Sequence, residues 1–140
     1  MLGKSVGILL EKSSTRTRIS FEVGVFELGG LPITLKPGDI QLGRGETIED
    51  SGRMFSRFLH AVVFRTSTHE RLQTLAHNST VPVINGLCDL HHPTQLLADL
   101  QTVNENLGHV EGVRVAWIGD GNNMAHSWIE AASLLGFELV

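Results

Sequence analysis

A single cysteine, Cys88, occurs among the 140 residues. No intrachain disulfide can form, and a reducing, cytosolic setting is the default. Long apolar runs are missing as well. None approaches the roughly 20 residues that a membrane-spanning helix needs. The opening residues, Met1 to Lys4, are not followed by the apolar stretch and small-residue cleavage site of a secretory leader, so none is expected. Positive charge is in deficit: 11 Lys+Arg against 15 Asp+Glu give a formal net charge of −4. That balance argues against a generic nucleic-acid binder, which needs a basic surface. There is no internal repeat and no low-complexity segment. Of the seven histidines, only His91 and His92 are adjacent. No other His, Cys or carboxylate falls at zinc-ligand spacing, so no metal site is expected.

What the chain does contain is a globular composition, 41% hydrophobic and 19% charged, with many glycines gathered at turns between apolar runs. The charge is uneven. Residues 1–46 hold Lys4, Lys12, Arg16, Arg18, Lys36 and Arg44 against Glu11, Glu22, Glu27, Asp39 and Glu46, and the acidic excess lies beyond. A small anion therefore suits the first segment better, although surface charge also fluctuates without meaning.

Strands are predicted at residues 6–10, 31–35 (weakened at its start by Pro32), 61–64, 81–85, 113–118 and from 137 onward. Between them fall helical patterns. The first follows the N-cap candidates Ser13, Ser14 and Thr15, carries Ile19, Val23 and Phe26 on one stripe with Phe21, Val25 and Leu28 alongside, and ends at Gly29-Gly30. Others are predicted over 47–59, 68–77, 93–107 and about 122–135. The fourth opens on Pro93 and places Leu96, Leu97, Leu100, Val103 and Leu107 on one stripe. Residues 108–112 read as a break, giving units 1–108 and 109–140. The chain stops four residues into a strand pattern, which reads as a fragment. The alternation of strands and helices implies an α/β fold: a parallel sheet with helices on both faces. In such sheets ligands bind beyond the carboxyl ends of the strands. That rule selects the loops at 11–17, 36–46, 65–68, 85–95 and 119–123.

The first of these loops reads Glu11-Lys-Ser-Ser14-Thr15-Arg16-Thr17-Arg18. It joins a strand to a helix start, where free N–H groups and the helix dipole favour an anion. Hydroxyls from Ser14, Thr15 and Thr17 and the planar fork of Arg16 suit phosphate oxygens. The loop has no glycine, so it is not a Walker A loop and a nucleoside triphosphate is not expected. A capped helix with solvated arginines is the plainer alternative. In His92-Pro93-Thr94-Gln95, Pro93 makes His92 the N-cap, and Gln95 shares its face. The imidazole can polarise a carbonyl and the Gln can hold an amide NH₂; alternatively Gln95 reaches back as a capping box. Arg65 sits at a strand's carboxyl end, placed for an anion, or is simply a loop arginine. Cys88 reads as a small loop or core residue rather than a nucleophile. Gly119-Asp-Gly121-Asn-Asn-Met124 resembles a dinucleotide fingerprint with Met124 in place of the third Gly.

Taken together, Ser14-Thr15-Arg16-Thr17-Arg18, Phe64-Arg65-Thr66 and His92-Pro93-Thr94-Gln95 resemble the carbamoyl-phosphate site of the aspartate/ornithine carbamoyltransferase family. Residues 39–46 and Gly119-Asp-Gly-Asn-Asn123 are similar to its ornithine branch. The resemblance covers essentially all 140 residues. It implies a carbamoyl-phosphate-binding domain at 1–108, lacking an N-terminal helical segment. It further implies, at 109–140, the first strand–helix unit of a second, Rossmann-like, ornithine-binding domain. It implies transfer of the carbamoyl group of carbamoyl phosphate to the δ-amine of L-ornithine, giving L-citrulline and phosphate in arginine biosynthesis. Ser14, Thr15, Arg16 and Thr17 would bind phosphate, and Arg65 phosphate and carbonyl oxygen together. His92 would bind the carbonyl oxygen, Gln95 the carbamoyl NH₂, and Asn123 the α-amino-acid end of ornithine. Thr17, Arg65 and His92 would act catalytically. Gln41 lies in the loop that reaches a neighbouring subunit's site in the family's trimers. No cofactor, metal, nucleic acid or membrane is implied. The family's catalytic cysteine lies in the half of the family's chain not represented here, and Cys88 is not it.

Three other readings stay open on the sequence: a carbamoyltransferase acting on another amine such as putrescine or aspartate, an inactive anion-binding fragment, and, from the glycine loop, a dinucleotide-binding fragment.

Overall fold

Four short apolar segments pair side by side and in parallel. In the computed structural model, which describes residues 1–36, 38–40 and 45–140, they are β1 (Ser5–Leu10), β2 (Leu31–Leu35), β3 (Ala61–Arg65) and β4 (Val83–Leu87). Their spatial order is β2-β1-β3-β4. The helices α1 (Thr15–Glu27), α2 (Ile48–Phe58) and α3 (His69–His77) connect them, and α4 (Pro93–Leu107) follows. A second, two-stranded parallel sheet is made by β5 (Arg114–Val115) and β6 (Glu138–Leu139) around α5 (Asn123–Leu135).

The two faces of the first sheet follow from strand alternation. Leu9, Val62 and Phe64 point to one side, where Phe55 and Leu59 at the end of α2 and Leu72 and Leu75 of α3 complete a cluster. Val6 and Val63 point to the other, against Val25 and Phe21 of α1. Helices therefore cover both faces, as the alternation of elements requires. Pro32 stands on β2, an edge strand, which is where a residue without an N–H is tolerated. Leu96 and Leu100 of α4 pack with Trp128, Ala131 and Phe137 in a third cluster that joins α4 to α5 and the small sheet.

Three expectations shift. The fourth strand lies two residues later than 81–85, because Gly86 does not end it. Phe64 pairs with Asn85 but Arg65 pairs with Leu87, so the ladder bulges at Gly86. A Cβ there would come within 3.1 Å of Val63 Cγ1, and the missing side chain is what admits the bulge. The fifth strand is only two residues long, although the Trp117 N–H still donates to the Val140 carbonyl at 2.7 Å. On α1 the predicted stripe faces outward: Ile19, Val23 and Phe26 are 54%, 46% and 72% exposed. Leu97 and Leu107 of α4 are likewise exposed, while Leu96 and Leu100 carry its packing.

The order β2-β1-β3 means that the chain leaves β1 in one direction and returns past it in the other. The crevice between the carboxyl ends of β1 and β3 is thus the switch point at which such sheets bind ligands. Leu75, fully buried between α3 and the sheet, supports the helix layer behind that crevice. Leu75→Ala is expected to lower unfolding free energy by about 2–5 kcal/mol, measured by urea denaturation. A loss below about 1 kcal/mol would contradict this packing.

Candidate anion site at the sheet switch point

Three loops converge at the crevice. After β1, Ser14 N-caps α1, its hydroxyl oxygen accepting from the Thr17 N–H at 3.3 Å. The Ser14 hydroxyl donates to Thr17 Oγ1 at 2.9 Å. After β3, Arg65 Nη1 donates to the same Thr17 oxygen at 3.1 Å. After β4, His92 is the N-cap of α4 and Pro93 its first residue. These groups open onto one cavity of about 390 Å³, whose lining includes Ser14, Arg16, Thr17, Arg65, His92 and Gln95.

The cavity's electrostatics are one-sided. Among the described residues, two guanidinium groups and no carboxylate line it. Burial pushes the Arg65 pKa down, and the positive charge of Arg16 pushes it further. Arg65 Nε is buried with no hydrogen-bond partner among the described residues. Burial also lowers the His92 pKa; the Arg65 charge adds to this and Asp99 opposes it. Burial is the larger cause in both, and the mutual repulsion of gathered cations adds to it. A neutral His92 can still donate a hydrogen bond from one ring nitrogen, while the Thr94 hydroxyl lies 3.3 Å from Nδ1.

A larger hollow of about 570 Å³ lies on the other side of the first loop, lined in part by Thr15, Arg18, Glu22 and Lys36. Unlike the first cavity, it holds a carboxylate, Glu22, which is paired with one of its two cations. Arg18 donates to Glu22 at 2.9 Å, and Thr34 donates to the same carboxylate at 2.6 Å. The Thr34 hydrogen bond, then Arg18, hold the Glu22 carboxyl below its usual range. The smaller cavity is therefore the better anion site.

Six of the sequence-predicted residues meet here: Ser14, Arg16, Thr17, Arg65, His92 and Gln95. The capping-box alternative for Gln95 is not what forms, since its amide donates to Asp99 at 2.8 Å and the His92 N–H goes to the Ser127 hydroxyl oxygen instead. Thr15 lines the other hollow. Asn123 stands outside the cavity and donates from Nδ2 to the Cys88 carbonyl at 2.9 Å. Gln41 lies outside the described residues. Among the described residues there is no group of three or more His, Cys, Asp or Glu that could hold a metal ion, and no helix is long and apolar enough to cross a membrane.

A supporting layer went unnoticed in the sequence. Glu11 closes β1, and its N–H donates to the Arg65 carbonyl at 2.9 Å. Its carboxylate accepts from the buried Thr66 hydroxyl and from Arg71 of α3. The Glu11 carboxylate is thus spent on the back of the turn, away from the cavity lining. Glu11 and Thr66 both fall in strand-end loops that the sequence marks; their pairing across 55 positions leaves no sequence signal.

Because burial keeps the His92 pKa low in the fold, an unfolded chain with a histidine near the usual value of about 6.5 binds more protons between those two values. Stability is therefore lost as pH falls below about 6.5. His92→Gln is expected to flatten that acid limb relative to the native chain, in urea midpoints taken from pH 7.5 down to about 5. Superimposable pH dependences would contradict a buried, neutral His92.

Comparison with known proteins agrees with this geometry. The family model "Aspartate/ornithine carbamoyltransferase, carbamoyl-P binding domain" matches residues 1–105. An ornithine carbamoyltransferase of Halorhodospira halophila is 60% identical over 137 residues, covering 98% of this chain and 46% of that protein. One from Acinetobacter baumannii is 59% identical over 138 residues, covering 99% and 45%. Among solved structures, the ornithine carbamoyltransferase of Pyrococcus furiosus superposes with a TM-score of 0.94 at 47% identity, over 99% of this chain and 44% of that one. That of Burkholderia thailandensis gives 0.93 at 48% identity, over 99% and 48%. The chain spans about half the length of the curated relatives it matches. By sequence, by fold and by the cationic crevice at its switch point, it belongs to the aspartate/ornithine carbamoyltransferase family.

Proposed function

We propose that these residues form the carbamoyl-phosphate half of an ornithine carbamoyltransferase, with residues 1–108 as the carbamoyl-phosphate domain and 109–140 as the start of the ornithine domain. The observation that carries the reading is the cavity lined by Arg16, Arg65 and His92 with no carboxylate. It suits a small, doubly charged donor that carries a carbonyl.

In this reading Ser14, Arg16 and Thr17 bind the phosphate at the start of α1, where free N–H groups add to the two cations, and Thr15, which lines the neighbouring hollow, joins them through its backbone N–H. Arg65 spans phosphate and carbonyl oxygen. His92 donates to the carbonyl oxygen, and Gln95 accepts from the carbamoyl NH₂. Gln41 serves a neighbouring copy's site. Asn123, whose Nδ2 is committed to Cys88, offers Oδ1 to the α-amino group of ornithine. The neutral δ-amine attacks the carbamoyl carbon. A C–N bond forms, and the carbonyl electron pair moves onto oxygen. That oxyanion collapses as the C–O bond to phosphate breaks, phosphate leaves with the bond pair, and the added nitrogen sheds one proton. Citrulline and phosphate result.

Thr17, Arg65 and His92 surround the oxygen that gains charge, so their hydrogen bonds strengthen as the barrier is climbed. One such donor is typically worth about 3 kcal/mol, or roughly a hundredfold in rate. No cofactor enters these steps. Membership of the family supports reading the full-length protein as a cytoplasmic, trimeric enzyme of arginine biosynthesis.

The test is citrulline formation from carbamoyl phosphate and ornithine by the full-length polypeptide, with putrescine and aspartate as competing amines. Ornithine is expected to be used and Arg65→Ala to lower kcat/KM by at least about a hundredfold, with an unchanged circular dichroism spectrum. Near-normal turnover by that variant, or use of another amine in preference to ornithine, would overturn the reading.

A further inference from the structure

Helix α5 lays three side chains along the loop that carries His92. Asn123, His126 and Ser127 are spaced i, i+3 and i+4, and so share one face of the helix. They meet the loop at three successive points. Asn123 Nδ2 donates to the Cys88 carbonyl at 2.9 Å. His126 Nδ1 lies 3.1 Å from the Leu90 carbonyl oxygen. Ser127 Oγ accepts from the His92 N–H at 2.9 Å.

The last contact differs from the other two. Ser127 is only 2% exposed, and its hydroxyl proton is already given to the Asn123 carbonyl at 2.8 Å. The oxygen therefore faces the His92 N–H as an acceptor. His92 in turn is the N-cap of α4, with φ −136° and ψ 65°, and its own side chain makes no capping hydrogen bond. Its N–H points out of the helix and has no intrahelical partner. The direction in which the imidazole leaves the backbone is set by that cap residue, and the imidazole is what lines the cavity.

We propose that Ser127 is a positioning residue for His92: by accepting its backbone N–H, a hydroxyl on α5 fixes the angle at which the imidazole enters the anion cavity. Ser127 lines no part of that cavity and acts only through His92. The inference rests on the carbamoyl-transfer reading for its kinetic arm alone.

A misaimed donor costs most where charge has built up, so the effect belongs in kcat rather than in substrate binding. In the full-length protein, Ser127→Ala is expected to lower kcat between about tenfold and a hundredfold, with the KM for carbamoyl phosphate roughly unchanged. Ser127→Cys keeps the volume with a weaker acceptor and should fall between the two, which covers the case in which Ser127→Ala does not fold. In a His92→Gln background, Ser127→Ala should have no further effect on kcat. A residue that merely stabilised the fold would impose the same loss in both backgrounds, and that additivity would overturn the proposal. The imidazole resonances of His92, read by ¹H–¹³C correlation without any substrate, should move in Ser127→Ala and Ser127→Cys. Unmoved resonances would overturn the proposal even in a protein that makes no citrulline. Moved resonances without turnover would leave it standing and reject the carbamoyl-transfer reading instead.

Discussion

The hydrogen bond from Arg65 Nη1 to Thr17 Oγ1 joins residues 48 positions apart, and the site depends on it. It holds the end of β3 against the first turn of α1. It also holds a guanidinium, with its Nε buried and without a partner among the described residues, in the crevice. A cation kept this way is held at a cost, since both burial and the nearby Arg16 oppose its charge. Such a cost is commonly found where a protein must meet a charged ligand. The fold tolerates it because the sheet beneath is fully packed: Ile8, Val63 and Phe64 are all completely buried.

Around this contact, each neighbouring polar group is already assigned. Ser14 satisfies Thr17 twice, through its cap and its hydroxyl. Glu11 is occupied by Thr66 and Arg71 behind the turn. Gln95 is paired with Asp99 at the rim. What is left facing the cavity is donor-rich and positively charged. A dianion with an adjacent carbonyl matches that inventory better than a neutral ligand or a cation does. In the loop behind the dinucleotide alternative, Asn122 caps α5 and Asn123 ties that helix to the Cys88 carbonyl.

Much of the site was legible in the sequence because each of its parts obeys a local rule. Ser14 before a helix, Pro93 after His92, and Arg65 at the end of an apolar strand are all one-segment signals. The parallel topology then brings their carboxyl-end loops together. Orientation was less legible. Along α1 the apolar residues fall at 19, 21, 23 and 25, a spacing that spreads them around a helix. Only the sheet decides that Phe21 and Val25 turn inward. Gly86 read as a loop residue, whereas its missing side chain permits a bulge that carries β4 on to Leu87, opposite Arg65. The grip of Ser127 on His92, across 35 positions, left no sequence signal at all.

If residues 14–17, 65 and 92–95 hold one ligand between them, a crystal structure of the full-length protein grown with carbamoyl phosphate will show it. Phosphate oxygens are expected within hydrogen-bond distance of Arg65 and the Ser14–Thr17 turn, with the carbonyl oxygen turned to His92. Carbamoyl phosphate bound elsewhere, or bound with His92 facing solvent, would contradict it.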